Sequence, residues 1–224
     1  IRRFCLADPM NDVDAQVAGA RIVKQAGGEY VIAALVYTLS PIHDDAHYVE
    51  AARRLAACAD VDALYIKDPG GLLLPQRAQK LIPAIRAVIG DKALELHSHC
   101  TIGLAELAYM DAPDFGVSAL QCASGAASDG TSNPPSERVV ANLRALGHRV
   151  DLDDGALADV GRFFTRIAEA FFPRTIAFVA SLPFVEVGRC NIMGVEAFDY
   201  GTVHRDGVMR LATARPDHED RPGD

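Results

Sequence analysis

The chain alternates between short unbroken apolar runs and longer stretches whose apolar residues recur every three or four positions. The runs RRFCLA (2–7), YVIAALVYT (30–38), DALYIKD (62–68), KALELHSH (92–99) and VSALQCA (117–123) predict strands. Between them, NDVDAQVAGARIVKQAGG opens on capping residues and stops on Gly27 and Gly28, and the stretch beginning SPIHDDAHYVEAARRL starts a helix after Ser40 and Pro41. LLPQRAQKLIPAIRAVIG, GLAELAYMDA, PSERVVANLRALG and DDGALADVGRFFTRIAEAFF continue the helical pattern, and TIAFVASLPFVEV (175–187) is a further apolar stretch. Strand–helix alternation implies parallel pairing through right-handed crossovers. About six candidate strands suit either a doubly wound sheet or a β/α barrel, which needs eight; periodicity leaves the two open.

Composition narrows the class. With 224 residues, 50% hydrophobic and 23% charged, the chain is long enough for one sizeable core. Net charge is −8 with acid and base interleaved, and no basic stripe or aromatic platform points to nucleic acid. No run reaches the roughly 18–20 apolar residues that span a membrane. Five scattered cysteines (Cys5, Cys58, Cys100, Cys122, Cys190) without a C-x-x-C pair, and no signal-peptide pattern, suit a reduced, cytoplasmic protein. Opening on Ile1, Arg2 and Arg3 inside a strand suggests a fragment. The tail at 214–224 is charged, Pro-containing and expected to be disordered.

Chemistry concentrates where two strands end. His97 and His99 are one residue apart, so on a strand both imidazoles leave the same face at the same edge. Imidazole pairs suit zinc, manganese, cobalt or iron, although a helix-capping and packing role is the plainer reading of an HxH taken alone. Lys67 ends the preceding strand ahead of a Pro-Gly-Gly turn. A rim lysine paired with Asp68 is its ordinary role. Beside a metal, a neutral amine could instead take up carbon dioxide as a carbamate, an anionic oxygen ligand. Asp8 reads as a helix cap or an active-site carboxylate, and Cys100 would face away from the histidines. The Gly/Ser-rich loop 124–135 leads into a helix and is either an anion site or a plain loop. No phosphate-loop or dinucleotide motif is present.

Five stretches together resemble the carboxyltransferase domain of biotin-dependent enzymes, the group of pyruvate carboxylase, the oxaloacetate decarboxylase α subunit and transcarboxylase 5S. They are ADPMNDV (7–13), VYTLSPIHDDAHYVEAARRL (36–55), LYIKDPGGLLLP (64–75), LELHSHCTIGLA (94–105) and DGTSNPPSERVVANLRALG (129–147), in matching order over roughly residues 4–170. The resemblance implies a TIM-type (β/α)8 barrel, incomplete at its first strands, over 1–170, followed by a diverged segment at 171–213. It implies a divalent metal (zinc, manganese or cobalt) held by His97, His99 and carbamylated Lys67. Asp68 would orient the neighbouring groups, and Asp8, Thr131 and Ser132 would line the substrate or biotin mouth. It further implies carboxyl transfer between biotin, delivered on a carrier domain or subunit, and pyruvate or oxaloacetate, in a homo-oligomer.

The chain departs from the pattern in places. The family's aspartate ligand, in an Asp-Thr-x-x-Arg-Asp segment, and its substrate-binding arginine would lie before Ile1. The Pro-Gly-Gly loop carrying a proton-shuttling threonine has no counterpart in 171–224, and Pro9 stands where a small residue is usual. An inactive fragment is therefore also expected. The alternatives are an aldol–Claisen enzyme similar to HMG-CoA lyase or isopropylmalate synthase, and a non-catalytic scaffold.

Overall fold

The computed structural model describes residues 1–171 and, in their backbone, three short strands at 184–186, 201–204 and 209–211. The chain divides into two compact units, Ile1–Cys122 and Ala123–Asp224.

The first unit is a parallel sheet of β1 (Arg3–Leu6), β2 (Tyr30–Val36), β3 (Ala63–Asp68), β4 (Ala93–Ser98) and β5 (Ala119–Leu120). Its strands lie in chain order, each hydrogen-bonded to the next. The crossovers are α1 (Val13–Gln25), α2 (Asp45–Ala57), α3 (Pro75–Arg86) and α4 (Ala105–Asp111). Consecutive helices touch one another, as crossovers that all turn the same way require. The predicted strands thus appear where the apolar runs placed them, although the last is only two residues long.

Helix starts follow side-chain capping. Asp12 accepts from Ala15 N at 3.0 Å at the head of α1. α2 begins at Asp45, not directly after Pro41, because Asp44 accepts from His47 N at 2.8 Å and supplies the cap. Ser40 and His43 form a separate turn ahead of it, with His43 N donating to Ser40 O at 3.2 Å.

The continuous apolar runs are explained by burial on both faces of the sheet. Val31, Ala33, Leu64, Leu94 and Leu96 lie on one face and are fully buried. Each buried leucine contributes about 1.5–3 kcal/mol. On the other face, Ile32, Ala34, Val36, Ala63 and Tyr65 form a second cluster, with Tyr30 and Ala93 against it. β1 stops early, pairing only as far as Leu6 with Ala33. Beyond it, two amides from the β1–α1 region extend the ladder. Gln16 donates to Ala34 O and accepts from Ala34 N, at 3.1 and 3.0 Å. Asn11 does the same with Val36, at 2.8 and 2.7 Å.

The second unit contains α5 (Ser136–Ala145) and α6 (Asp154–Phe171), as the helical pattern predicts. It also holds a small antiparallel sheet of β6 (Phe184–Glu186), β7 (Gly201–His204) and β8 (Met209–Leu211). Of the apolar stretch 175–187, only Phe184–Glu186 is described, and it pairs antiparallel. The remainder of the expected segment 171–213 and the tail 214–224 lie outside the described residues. No described helix is long and apolar enough to cross a membrane.

Candidate metal centre

Register builds the site. Tyr65 pairs with Glu95 and Lys67 with His97, so these four share one face of adjacent strands. Val36 pairs with Lys67, and Glu95 pairs with Ala119, which puts Gln121, two residues on, at the same face. His99 follows directly after β4. Its backbone N–H donates to Asp68 O at 3.0 Å.

The two imidazoles converge. His97 Nε2 and His99 Nε2 are 3.0 Å apart. At a metal–nitrogen distance of about 2.1 Å, two ligand nitrogens lie about 3.0 Å apart at a right angle and about 3.4 Å apart at the tetrahedral angle. The pair therefore fits neighbouring corners of a single coordination shell. Burial, then the neighbouring His99, and more weakly Lys67, push His97 down to about 4, against the opposing hydrogen bond to Gln121. At neutral pH, His97 thus carries the lone pair that a metal needs.

Behind His97 runs a chain of polar groups. His97 Nδ1 is 3.1 Å from Gln121 Oε1, Gln121 Nε2 donates to Glu95 Oε2 at 3.0 Å, and Arg3 pairs with Glu95 Oε1. Glu95 is almost completely buried. Tyr65, in register with Glu95, is held up at about 12 by burial and then by Cys5 and Glu95. Sequence reasoning missed Glu95, Gln121 and Arg3. The one signal was a glutamate in an otherwise apolar run, two residues ahead of His97.

Asp68 faces the opposite side of the sheet from Lys67, as adjacent strand residues must. It is fully buried, accepting from Leu72 N and Leu73 N at 2.8 Å each and from Ser98 Oγ at 2.7 Å. Its carboxylate fixes the turn after β3 and its carbonyl holds His99. The turn presses on the site through Gly71, where φ is +65° and an added Cβ would lie 2.4 Å from His99 O. Asp8 binds its own loop, accepting from Met10 N at 2.8 Å and Asp12 N at 3.0 Å, and Asp12 is the residue that caps α1. Thr131 and Ser132 belong to the second unit. Their loop is closed by Ser132 N donating to Asp129 O at 2.8 Å and by Asp129 N donating to Asn133 O at 3.0 Å. Among the described residues, no three His, Cys, Asp or Glu side chains gather in metal-binding geometry.

Compared with curated proteins, the chain is 33% identical over 168 residues to a pyruvate carboxylase subunit of Methanocaldococcus jannaschii, covering 75% of this chain and 29% of that protein. It is 33% identical over 165 residues to the methylmalonyl-CoA carboxyltransferase 5S subunit of Propionibacterium freudenreichii subsp. shermanii, covering 73% and 32%. The carboxyl transferase domain from Rhizobium etli pyruvate carboxylase superposes with a TM-score of 0.66 at 26% identity, covering 72% of this chain and 28% of that one. The same domain with pyruvate and biocytin gives 0.69 at 25% identity, over 75% and 29%. No family model matches the chain. The chain spans less than a third of the length of the two curated relatives. In sequence and in fold it is a homologue of the methanogen pyruvate carboxylase subunit and of transcarboxylase 5S, related to the carboxyltransferase domain of pyruvate carboxylase.

Proposed function

We propose that this chain forms part of a metal-dependent carboxyltransferase site that moves a carboxyl group between biotin and pyruvate or oxaloacetate. The observation that carries the reading is the meeting of His97 Nε2 and His99 Nε2 at 3.0 Å, with Lys67 in register beside His97. It is joined by homology to a pyruvate carboxylase subunit and a methylmalonyl-CoA carboxyltransferase subunit, and by a relative's domain whose structure holds pyruvate and biocytin. The biotin would come on a carrier domain or subunit.

The sheet order supports a segment of a β/α barrel. Doubly wound sheets reverse direction at a switch point. Here β1 to β5 advance without reversal, as barrel strands do.

His97, His99 and Lys67, as its carbamate, would hold a divalent zinc, manganese or cobalt ion. Two histidines leave positions open in the shell, and a carbamate on the lysine next in register would supply an anionic oxygen donor for one of them. When bound, the ion supplies Lewis-acid polarisation of a substrate keto group, which makes the adjacent methyl protons easier to remove. The protein's own part is to fix the donors. Asp68 and the Gly71 turn position His99, and Gln121 positions His97.

The test loads the full chain with Mn2+ and follows relaxation of the pyruvate methyl protons. Enhancement that His99→Ala abolishes is the expected result. In parallel, metal retention is measured with and without bicarbonate. Equal enhancement in wild type and His99→Ala would overturn the substrate site. Retention indifferent both to bicarbonate and to Lys67→Met would overturn the carbamate.

A further inference from the structure

We propose that Glu95 is a positioning residue that, through Gln121, fixes the tautomer of His97 and keeps its Nε2 open toward His99. The proposal rests on the metal reading above for its purpose, but its geometry stands independently.

Hydrogen-bond direction is passed along from Glu95 to His97. An ionised carboxylate only accepts. Both oxygens of Glu95 are used, Oε1 by Arg3 and Oε2 by Gln121 Nε2 at 3.0 Å. Arg3 is a permanent donor, and its guanidinium carbon lies 4.9 Å above the Tyr30 ring, which anchors the far end. Gln121 must therefore turn its NH2 toward Glu95. Its remaining end, Oε1, faces His97 Nδ1 at 3.1 Å and can only accept.

A neutral imidazole has one proton to place. With an acceptor at Nδ1, the proton sits there, and Nε2 keeps its lone pair. That nitrogen is the one 3.0 Å from His99 Nε2. If position 95 carried an amide instead, the Gln121 side chain could turn over and offer its NH2 to Nδ1. The proton would then move to Nε2, the atom a cation must reach. Partners behind a metal-binding histidine generally set its orientation and tautomer in this way, and their loss weakens metal binding by about 10–100-fold.

The experiment uses the full chain, its histidines labelled with 15N, and Co2+ as the probe metal. Wild type should show His97 as the Nδ1–H tautomer in metal-free protein. Glu95→Gln should populate the Nε2–H form and weaken Co2+ binding by about 10–100-fold. The exchanged pair Glu95→Gln with Gln121→Glu restores an accept-only group at Nδ1 and a donor toward it, so tautomer and affinity should both return. A purely structural role for Glu95 would not move the tautomer and would not be rescued by the exchange.

If Glu95→Gln does not fold, Gln121→Met leaves the Arg3–Glu95 pair in place and removes only the acceptor at Nδ1. It should give mixed tautomers and weaker Co2+ binding. An unchanged His97 tautomer in Glu95→Gln or in Gln121→Met, or an exchange that folds without restoring it, overturns the proposal. Wild-type protein that binds no Co2+ would overturn the metal reading alone, since the metal-free spectra still decide the tautomer.

Discussion

His97 Nε2 and His99 Nε2 face one another at 3.0 Å, too close for both to carry a proton and well placed for both to give a lone pair to one cation. Replacing either should therefore remove one of the two imidazole donors to a shared ion, and replacing both should add little. The expected outcome is that His97→Ala and His99→Ala each lose stoichiometric Co2+ binding, read from the visible absorption of the bound ion. A single variant that keeps full binding would show that the two imidazoles do not act on one ion.

Gly71 and His99 are coupled through backbone. Gly71 has φ +65°, and a Cβ there would sit 2.4 Å from His99 O, an atom with no side-chain freedom to move away. Gly71→Ala should cost about 1–3 kcal/mol for the backbone strain alone. The clash adds to it and displaces His99. Urea denaturation should show the lower midpoint, and Co2+ binding should fall with it. Gly90, with φ +60° and no atom within 4 Å of its Cβ position, is the control: Gly90→Ala should carry strain without loss of metal.

Asp68 supports the same turn with three accepted hydrogen bonds in full burial. Asp68→Asn replaces one acceptor oxygen by an NH2 that must face a donor. A buried donor left unpaired costs about 1–3 kcal/mol. Thermal melts should place Asp68→Asn well below wild type, while Ser98→Ala, which removes only the hydroxyl donor, should cost less.

Much of this was legible in the chain itself. Unbroken apolar runs marked β2, β3 and β4 because parallel strands bury both faces, and the spacing of His97 and His99 placed both imidazoles on one face. The same rule of alternation separates Lys67 from Asp68. What the pattern does not encode is register between strands. Arg3 and Glu95 are 92 residues apart, and nothing local says that they meet. Gln121 likewise reaches Glu95 and His97 only because β4 and β5 pair Glu95 with Ala119. The chain offers Asp8 and the polar residues that open NDVDAQ as helix starts, and only the observed turn, with Asn11 at φ +56°, decides that Asp12 caps α1.

The short β1 makes a prediction about Gln16. Its amide takes the place of a strand neighbour for Ala34, bonding both N–H and C=O in a site where Gln16 is 4% exposed. Gln16→Met keeps length and volume and leaves two buried backbone groups unpaired. At about 1–3 kcal/mol for each, the loss should exceed that of an ordinary surface change several-fold. Hydrogen exchange at the Ala34 amide should quicken in Gln16→Met beyond what the global loss of stability explains.

His97 also makes stability depend on pH in the metal-free protein. Its ordinary value is 6.5, and burial followed by His99 lowers it to about 4 in the folded chain. Above about 6.5, both states hold the imidazole neutral and it contributes no pH dependence. As pH falls from 6.5 toward 4, the unfolded chain takes up the proton and the folded chain resists it. The unfolded state then binds more protons, so stability falls with pH across that window and levels off from this cause below it. The chain has seven histidines, so the measurement is a difference. Urea midpoints between pH 7 and pH 4 should fall less steeply in His97→Gln than in wild type. Parallel slopes would mean that His97 ionises as readily folded as unfolded, and that burial does not keep its lone pair available.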